Sequence, residues 1–332
     1  MLNLTNLFDE AIRQKASDIH LATGETPRLR VAGDLVPFGE PLDLRTVLEP
    51  FLTPEAGARL AAGLPFEKTL VHGDLAFVGI AFRVGDSGLA ATFRLLPEKV
   101  PALDQIAEGA QEFFRGIVET VRGLVLITGP TGSGKWTTVC SVADTINAER
   151  ADRIFIVGSH PSYRFASKKG MVTELHVGHD CDSYSRALDI AHQADLDVVA
   201  LDDIPTLETL REALTLASTG HLVIANLHAK TAVEAIERLI ESAGPEGDAL
   251  RRSLAENLIA VTAQRLLPGR EKGRAPAYEW IKNSPAIRTA LLGNGDLTAA
   301  QAEDGESRTL TAALDALVAS GRITEETADL NR

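Results

Sequence analysis

The sequence predicts a two-part α/β protein: a small mixed α/β unit over roughly the first 100 residues, then a three-layer domain on a mostly parallel sheet with a helical tail. Three observations carry this. At about 150 residues per domain, 332 residues make two domains. From Leu124 onward, short and nearly continuous apolar runs alternate with helical stretches, the pattern of strands covered on both faces. Before residue 100 the runs instead alternate polar and apolar, as strands exposed on one face do.

Leu4, Leu7, Phe8, Ala11 and Ile12 share one helical face and open the chain as an amphipathic helix. Asp18–Leu21 and Arg28–Val31 read as strands, with Gly33-Asp34 as a turn pair. Leu75–Phe82 and Ala90–Leu95 are two more, joined across Gly85-Asp86-Ser87-Gly88. Pro97 to Asp104, with two prolines, reads as a linker, and Phe113, Phe114, Ile117, Val118 and Val121 then form one face of a helix. Strands follow at Leu124–Thr128, Arg153–Val157, Val198–Leu201 and His221–Ala225, with helices at Trp136–Ala148, Tyr184–Ala194 and Leu207–Ala217 between them. From Val233 the pattern is largely helical, with one strand at Ala277–Ile281.

A net charge of −13 has the wrong sign for a chain that lives on phosphate backbones, so no nucleic-acid partner is expected. Cys140 and Cys181 cannot make a disulfide framework. Met1 to His20 lacks the layout of a signal peptide, and no apolar run reaches the ~18 residues of a membrane span. The expectation is a cytoplasmic protein without a transmembrane segment. His176-x2-His179-x-Cys181 lacks the spacing of a structural zinc site and reads as a solvated loop.

The chemistry concentrates in Gly129, Pro130, Thr131, Gly132, Ser133, Gly134 and Lys135, which follow a predicted strand and open a predicted helix. Glycines let the backbone curl so that amides point inward; the helix N-terminus and Lys135 add positive charge for phosphate. The next residue departs from the pattern. A phosphate loop carries Ser or Thr there as a Mg²⁺ ligand, whereas this chain has Trp136, which offers no oxygen. Thr137 and Thr138 follow, but each further helical residue points about 100° away. Asp202 and Asp203 end an apolar strand, where one acid can hold Mg²⁺ and its neighbour orient the attacking water. His228 ends another strand and reads either as a structural histidine or as a phosphate sensor.

Taken in order, these segments resemble the type IV pilus retraction ATPases (PilT-like) of the secretion ATPase superfamily. The resemblance rests on Ala16-Ser17-Asp18-Ile19-His20-Leu21, the strand pair Pro27–Leu35, Phe93-Arg94, the loop Gly129–Lys135, Thr219–His228, and Ser284-Pro285-Ala286-Ile287-Arg288. It implies a PAS-like N-terminal domain over 1–100, a linker over 101–112, a RecA-like P-loop domain over 113–292 and a helical segment over 293–332. It also implies ATP bound by the loop, with Trp136 and Thr137 at its end, Mg²⁺ as cofactor and His228 in a histidine box; the strand-end carboxylates add Asp202 as the Mg²⁺ ligand and Asp203, beside His228, as a catalytic group. As partners it implies a homo-hexamer, or a hetero-hexamer with a paralogous ATPase, docked on a pilus or secretion platform protein at the inner membrane.

The departures from that pattern fall on the chemistry. The family's Glu-Asp-Pro-hydrophobic-Glu run falls on Gly158–Ser162, which holds no carboxylate, and its Gly-Glu aligns with Asp202-Asp203. Arginines of the family fall on Pro205, near Gln193, and near Ala76 and Val78, with Arg83 and Arg94 as partial substitutes. Its Asn-Leu after the Ile-Arg pair is Thr289-Ala290. A phosphate loop kept while the groups that move the phosphoryl are depleted points to a subunit that binds ATP with weak or no hydrolysis, regulatory or structural in role. An active hexameric motor driving retraction and twitching motility, with Asp203 as base, is the alternative; a RecA-like nucleic-acid motor is opposed by the charge.

Overall fold

The computed structural model describes residues 3–332 apart from 86, 87, 98, 161, 272 and 294. Asp86 and Ser87 of the expected turn therefore lie outside the described residues, as does Pro161. The chain clusters into two compact units, Met1–Lys99 with Pro161–Arg164, and Val100–His160 with Phe165–Arg332.

The first unit is a six-stranded sheet of β1 (Ala16–Ala22), β2 (Arg28–Val31), β3 (Asp34–Pro37), β4 (Phe66–His72), β5 (Leu75–Val84) and β6 (Gly88–Leu95). Its order is β3-β2-β1-β6-β5-β4, antiparallel throughout. Alternation sends Ile19, Leu21, Leu29, Phe77 and Phe93 into a core shared with the helix Leu4–Arg13, where Phe8 stacks on Phe77 at 4.0 Å. Asn3 starts that helix by capping the Asn6 amide. Asp18 and Arg94 are register partners across β1 and β6; Arg94 Nε donates to Asp18 Oδ1 at 2.9 Å and Ser17 Oγ to Oδ2 at 2.7 Å.

The second unit is a seven-stranded sheet of β7 (Gly123–Thr128), β8 (Arg153–Gly158), β9 (Met171–His176), β10 (Val198–Leu201), β11 (Leu222–Asn226), β12 (Leu258–Pro268) and β13 (Arg274–Lys282). The order is β13-β12-β7-β11-β10-β8-β9, with every neighbouring pair parallel except β12–β13. Every residue of β7, β10 and β11 is buried, as strands covered on both faces must be. One face packs on the helices Gln111–Glu119 and Lys135–Glu149, the other on Tyr184–Gln193, Leu207–Ser218, Ala232–Ser242 and Gly247–Asn257.

After Val233 helices predominate as expected, but the expectation of a single strand there is corrected: β12 precedes β13. The helix Gly247–Asn257 runs directly into β12, eleven residues that pair with both β7 and β13. β4 and β9 were likewise not foreseen, and of β3 only the turn into it and its first residues were.

Register brings the C-terminal strand ends together. Asn226 lies beside Ile127, and Leu201 beside Ala225 and Val157. The chain beyond β7, β11, β10 and β8 thus opens along one edge, where α/β sheets take their ligands.

Candidate nucleotide site

At this edge the loop Gly129–Lys135 joins β7 to the helix Lys135–Glu149. Gly129 has φ +143°, and a Cβ there would lie 2.2 Å from the Gln264 carbonyl oxygen and 2.8 Å from Ser133 Oγ, so no other residue fits. Lys135 is buried; its Nζ donates to the carbonyls of Gly129 at 3.0 Å and Pro130 at 3.2 Å. Burial lowers the pKa of this ammonium, and the charge of Asp203 opposes the shift.

The loop is braced from behind by Gln264 on β12. Its Nε2 donates to the Ser133 carbonyl at 2.5 Å, and its Oε1 accepts from Thr138 Oγ1 at 2.8 Å. Thr128, at the end of β7, donates to the Ala229 carbonyl at 3.1 Å and accepts from the Ala229 amide at 2.7 Å. Among the described residues Ser133 Oγ and Asn226 Oδ1 are buried without a partner. An anion at the curled loop, against a helix N-terminus, a buried ammonium and the orphaned hydroxyl of Ser133, fits this donor set.

Asp203 and His228 are brought together: both line a cavity of about 330 Å³ with Pro205, Thr206 and Leu227. Asp203 is half-buried and accepts from the Ile204 amide at 2.9 Å. Burial raises its carboxyl pKa; the Ile204 amide, His228 and Lys135 pull it down, and the charge of Asp202 pushes it up.

Asp202 is held on both oxygens. Oδ2 accepts from the Ser159 amide at 2.8 Å and from Ser159 Oγ at 3.2 Å, and Oδ1 accepts from Tyr184 OH at 2.5 Å. Burial and this hydrogen bond push the Tyr184 phenol well up.

Trp136 is half-buried and packs against the apolar cluster on the Lys135–Glu149 face of the sheet. Thr138 Oγ1 is committed to Gln264. With Trp136 lacking an oxygen and Asp202 engaged three times, the residues present do not fit a Mg²⁺ held through the loop hydroxyl. In the histidine-rich loop, Asp180 takes both rings, His179 Nδ1 at 2.8 Å and His176 Nδ1 at 3.2 Å.

Residues 87–275 match the family of type II/IV secretion system proteins. The type IV pilus retraction ATPase PilT of Pseudomonas aeruginosa is 33% identical over 98% of this chain and 97% of its own length. The crystal structure of the pilus retraction motor PilT with bound ADP superimposes with a TM-score of 0.93 at 31% identity, covering 100% of this chain and 97% of that one. The chain belongs to the family of type IV pilus retraction ATPases. The fold extends further: the ATPase DotB of Legionella pneumophila, 21% identical, superimposes with a TM-score of 0.79 over 98% of this chain and 94% of its own.

Sequence reasoning missed Gln264, Thr128 and Tyr184. For Gln264 a signal existed: it directly follows the run Ile259–Ala263, in which Thr262 is the one polar residue. Tyr184 offered none, because its partner lies 18 residues away across the sheet edge.

Proposed function

We propose that this chain is an ATP-binding subunit of a type IV pilus motor that turns nucleotide over slowly, serving a regulatory or structural role in a ring with copies of itself or with a paralogous ATPase. The single observation that carries the reading is Trp136 directly after an intact loop: the phosphate donors are in place while the metal's hydroxyl ligand is an indole packed on the core. Phosphoryl transfer depends on positioned charge, and loss of one such group commonly slows turnover by ~10²–10³. The lack of carboxylates in Gly158–Ser162 and of the arginine at Pro205 acts in the same direction. The ring docks on a platform protein at the inner membrane from the cytoplasmic side; no described helix is long and apolar enough to cross a membrane.

A second reading, an active retraction motor, draws on Asp203. It is the strand-end carboxylate left with a single backbone donor, in the same cavity as His228.

Titration calorimetry with ATP and ADP, beside phosphate-release assays with and without Mg²⁺ on the native chain and on Trp136→Ser, decides between them. The expected result is nucleotide binding with slow, Mg²⁺-indifferent turnover, and Mg²⁺-dependent binding gained in Trp136→Ser. Robust Mg²⁺-dependent hydrolysis by the native chain overturns the first reading in favour of the second.

A further inference from the structure

β8 and β10 run parallel and in register to Val157 and Leu201, so Gly158 and Asp202 stand side by side at the strand ends. The Asp202 amide still bonds the Val157 carbonyl at 3.0 Å, which fixes the side-chain direction. The carboxylate then turns across its neighbour: an ideal Cβ on Gly158 would meet Asp202 Oδ2 at 2.8 Å, Cγ at 3.0 Å and Cβ at 3.4 Å. One space serves two positions, and it holds one carboxylate. From there Asp202 gathers Ser159 beyond β8 and Tyr184 at the start of the helix Tyr184–Gln193. Three elements are thereby tied beside Asp203 with protein donors.

We infer that Asp202 is a positioning residue whose carboxylate takes the space that a side chain from position 158 would otherwise fill, and that Gly158 is its steric complement. At this sheet edge the two positions are coupled: Gly158 without a side chain and Asp202 with one share a single space, so that exchanging glycine and acid between them should conserve the packing. Its role is to hold Ser159 and Tyr184 in place next to Asp203, with no metal to ligate. The inference rests on the nucleotide reading only for its effect on turnover; the exchange itself is a statement about packing.

The test uses full-length chains: native, Asp202→Gly, Gly158→Glu, the double variant, and Asp202→Asn. Thermal midpoints without nucleotide come first. Each glycine–acid single variant is expected to melt lower, one by orphaning Ser159 and Tyr184, the other by crowding two carboxylates. The double variant is expected to regain most of both losses. Losses that simply add in the double variant overturn the exchange, whatever the nucleotide experiments show.

Steady-state phosphate release then reads kcat and KM. Asp202→Gly should lower kcat about 10-fold or more at little-changed KM, with recovery in the double variant. Asp202→Asn keeps an acceptor for Ser159 and should stay within about 3-fold of native. A recovered midpoint with unrecovered kcat, or an Asp202→Asn loss as deep as Asp202→Gly, overturns the positioning role. If ADP shifts the midpoint of no chain in the set, native included, the nucleotide reading fails and the midpoints still decide the exchange.

Discussion

Replacing Gln264 by alanine tests whether the phosphate loop is shaped by its own sequence or by the strand behind it. The side chain is 3% exposed and makes two bonds, to the Ser133 carbonyl at 2.5 Å and from Thr138 Oγ1 at 2.8 Å. Without it, Thr138 Oγ1 retains the Gly134 carbonyl at 3.3 Å, and the Ser133 carbonyl is the group left without its donor. An orphaned buried polar group costs about 1–3 kcal/mol, and the cavity left by the removed atoms about 2 kcal/mol more. At roughly 2–4 °C per kcal/mol for a domain of this size, the midpoint should fall by about 10 °C. Gln264→Glu fills the same volume but turns an acceptor toward the Ser133 carbonyl. It should destabilise at neutral pH and recover as the pH falls and the buried carboxyl, now protonated, donates again. Differential scanning fluorimetry across pH, with ADP titrations, measures both. An alanine variant that melts within about 2 °C of native and binds ADP equally well would refute the claim that Gln264 braces the loop.

Three further outcomes are expected. Burial places the Asp203 carboxyl above its ordinary range, so the native state holds that proton more tightly than the unfolded chain and stability falls as pH rises through that window; Asp203→Asn should therefore melt higher than native at neutral pH while losing residual turnover, and a lower melt in a pH-resolved scan would contradict this. Burial also acts to raise Asp18, but the hydrogen bonds from Ser17 and Arg94 outweigh it and hold the carboxyl low, so their stabilisation is present above the unfolded pKa and is lost as pH falls through the folded one. Arg94→Ala should cost about 1–3 kcal/mol at neutral pH, with the gap to native closing in acid unfolding curves; a pH-independent gap would mean that the pair is not the cause. Thr128→Val removes both bonds to Ala229 at nearly constant volume and should lower stability by about 1–3 kcal/mol, with faster hydrogen exchange at the Ala229 amide as the site-specific check.

How much was legible follows from how local each signal is. The loop and its flanking elements were readable because strand, glycines, lysine and helix are contiguous, and Val198–Leu201 was placed to the residue. β12 was hidden because it leaves a helix without a turn, and its apolar run is as compatible with helix as with strand. β9 carries no fully buried residue and so shows no apolar signature, while β3, exposed along its whole length, was marked only by the turn that precedes it. At the site, Gln264 meets Thr138 across 126 residues and Asp202 meets Ser159 across 43. Such pairs come from strand order and register, which no local pattern encodes. Asp202 and Asp203, adjacent in sequence, read as one acidic feature, yet the structure gives them different surroundings: one bonded on both oxygens, the other lining the cavity with His228.

The indole beside the phosphate loop also makes the site visible to light. The chain has two tryptophans, and Trp280 is stacked on Phe113 at 4.7 Å with Arg308 over its ring. Trp136 is half-buried and covalently adjacent to Lys135, so its emission answers to the polarity and charge of the loop. In a Trp280→Phe background it is the sole reporter, and nucleotide arrival and departure can be followed in real time without a label. The residue that offers the loop no hydroxyl is also a fluorophore at its edge, so the proposed occupancy can be read from the chain's own emission.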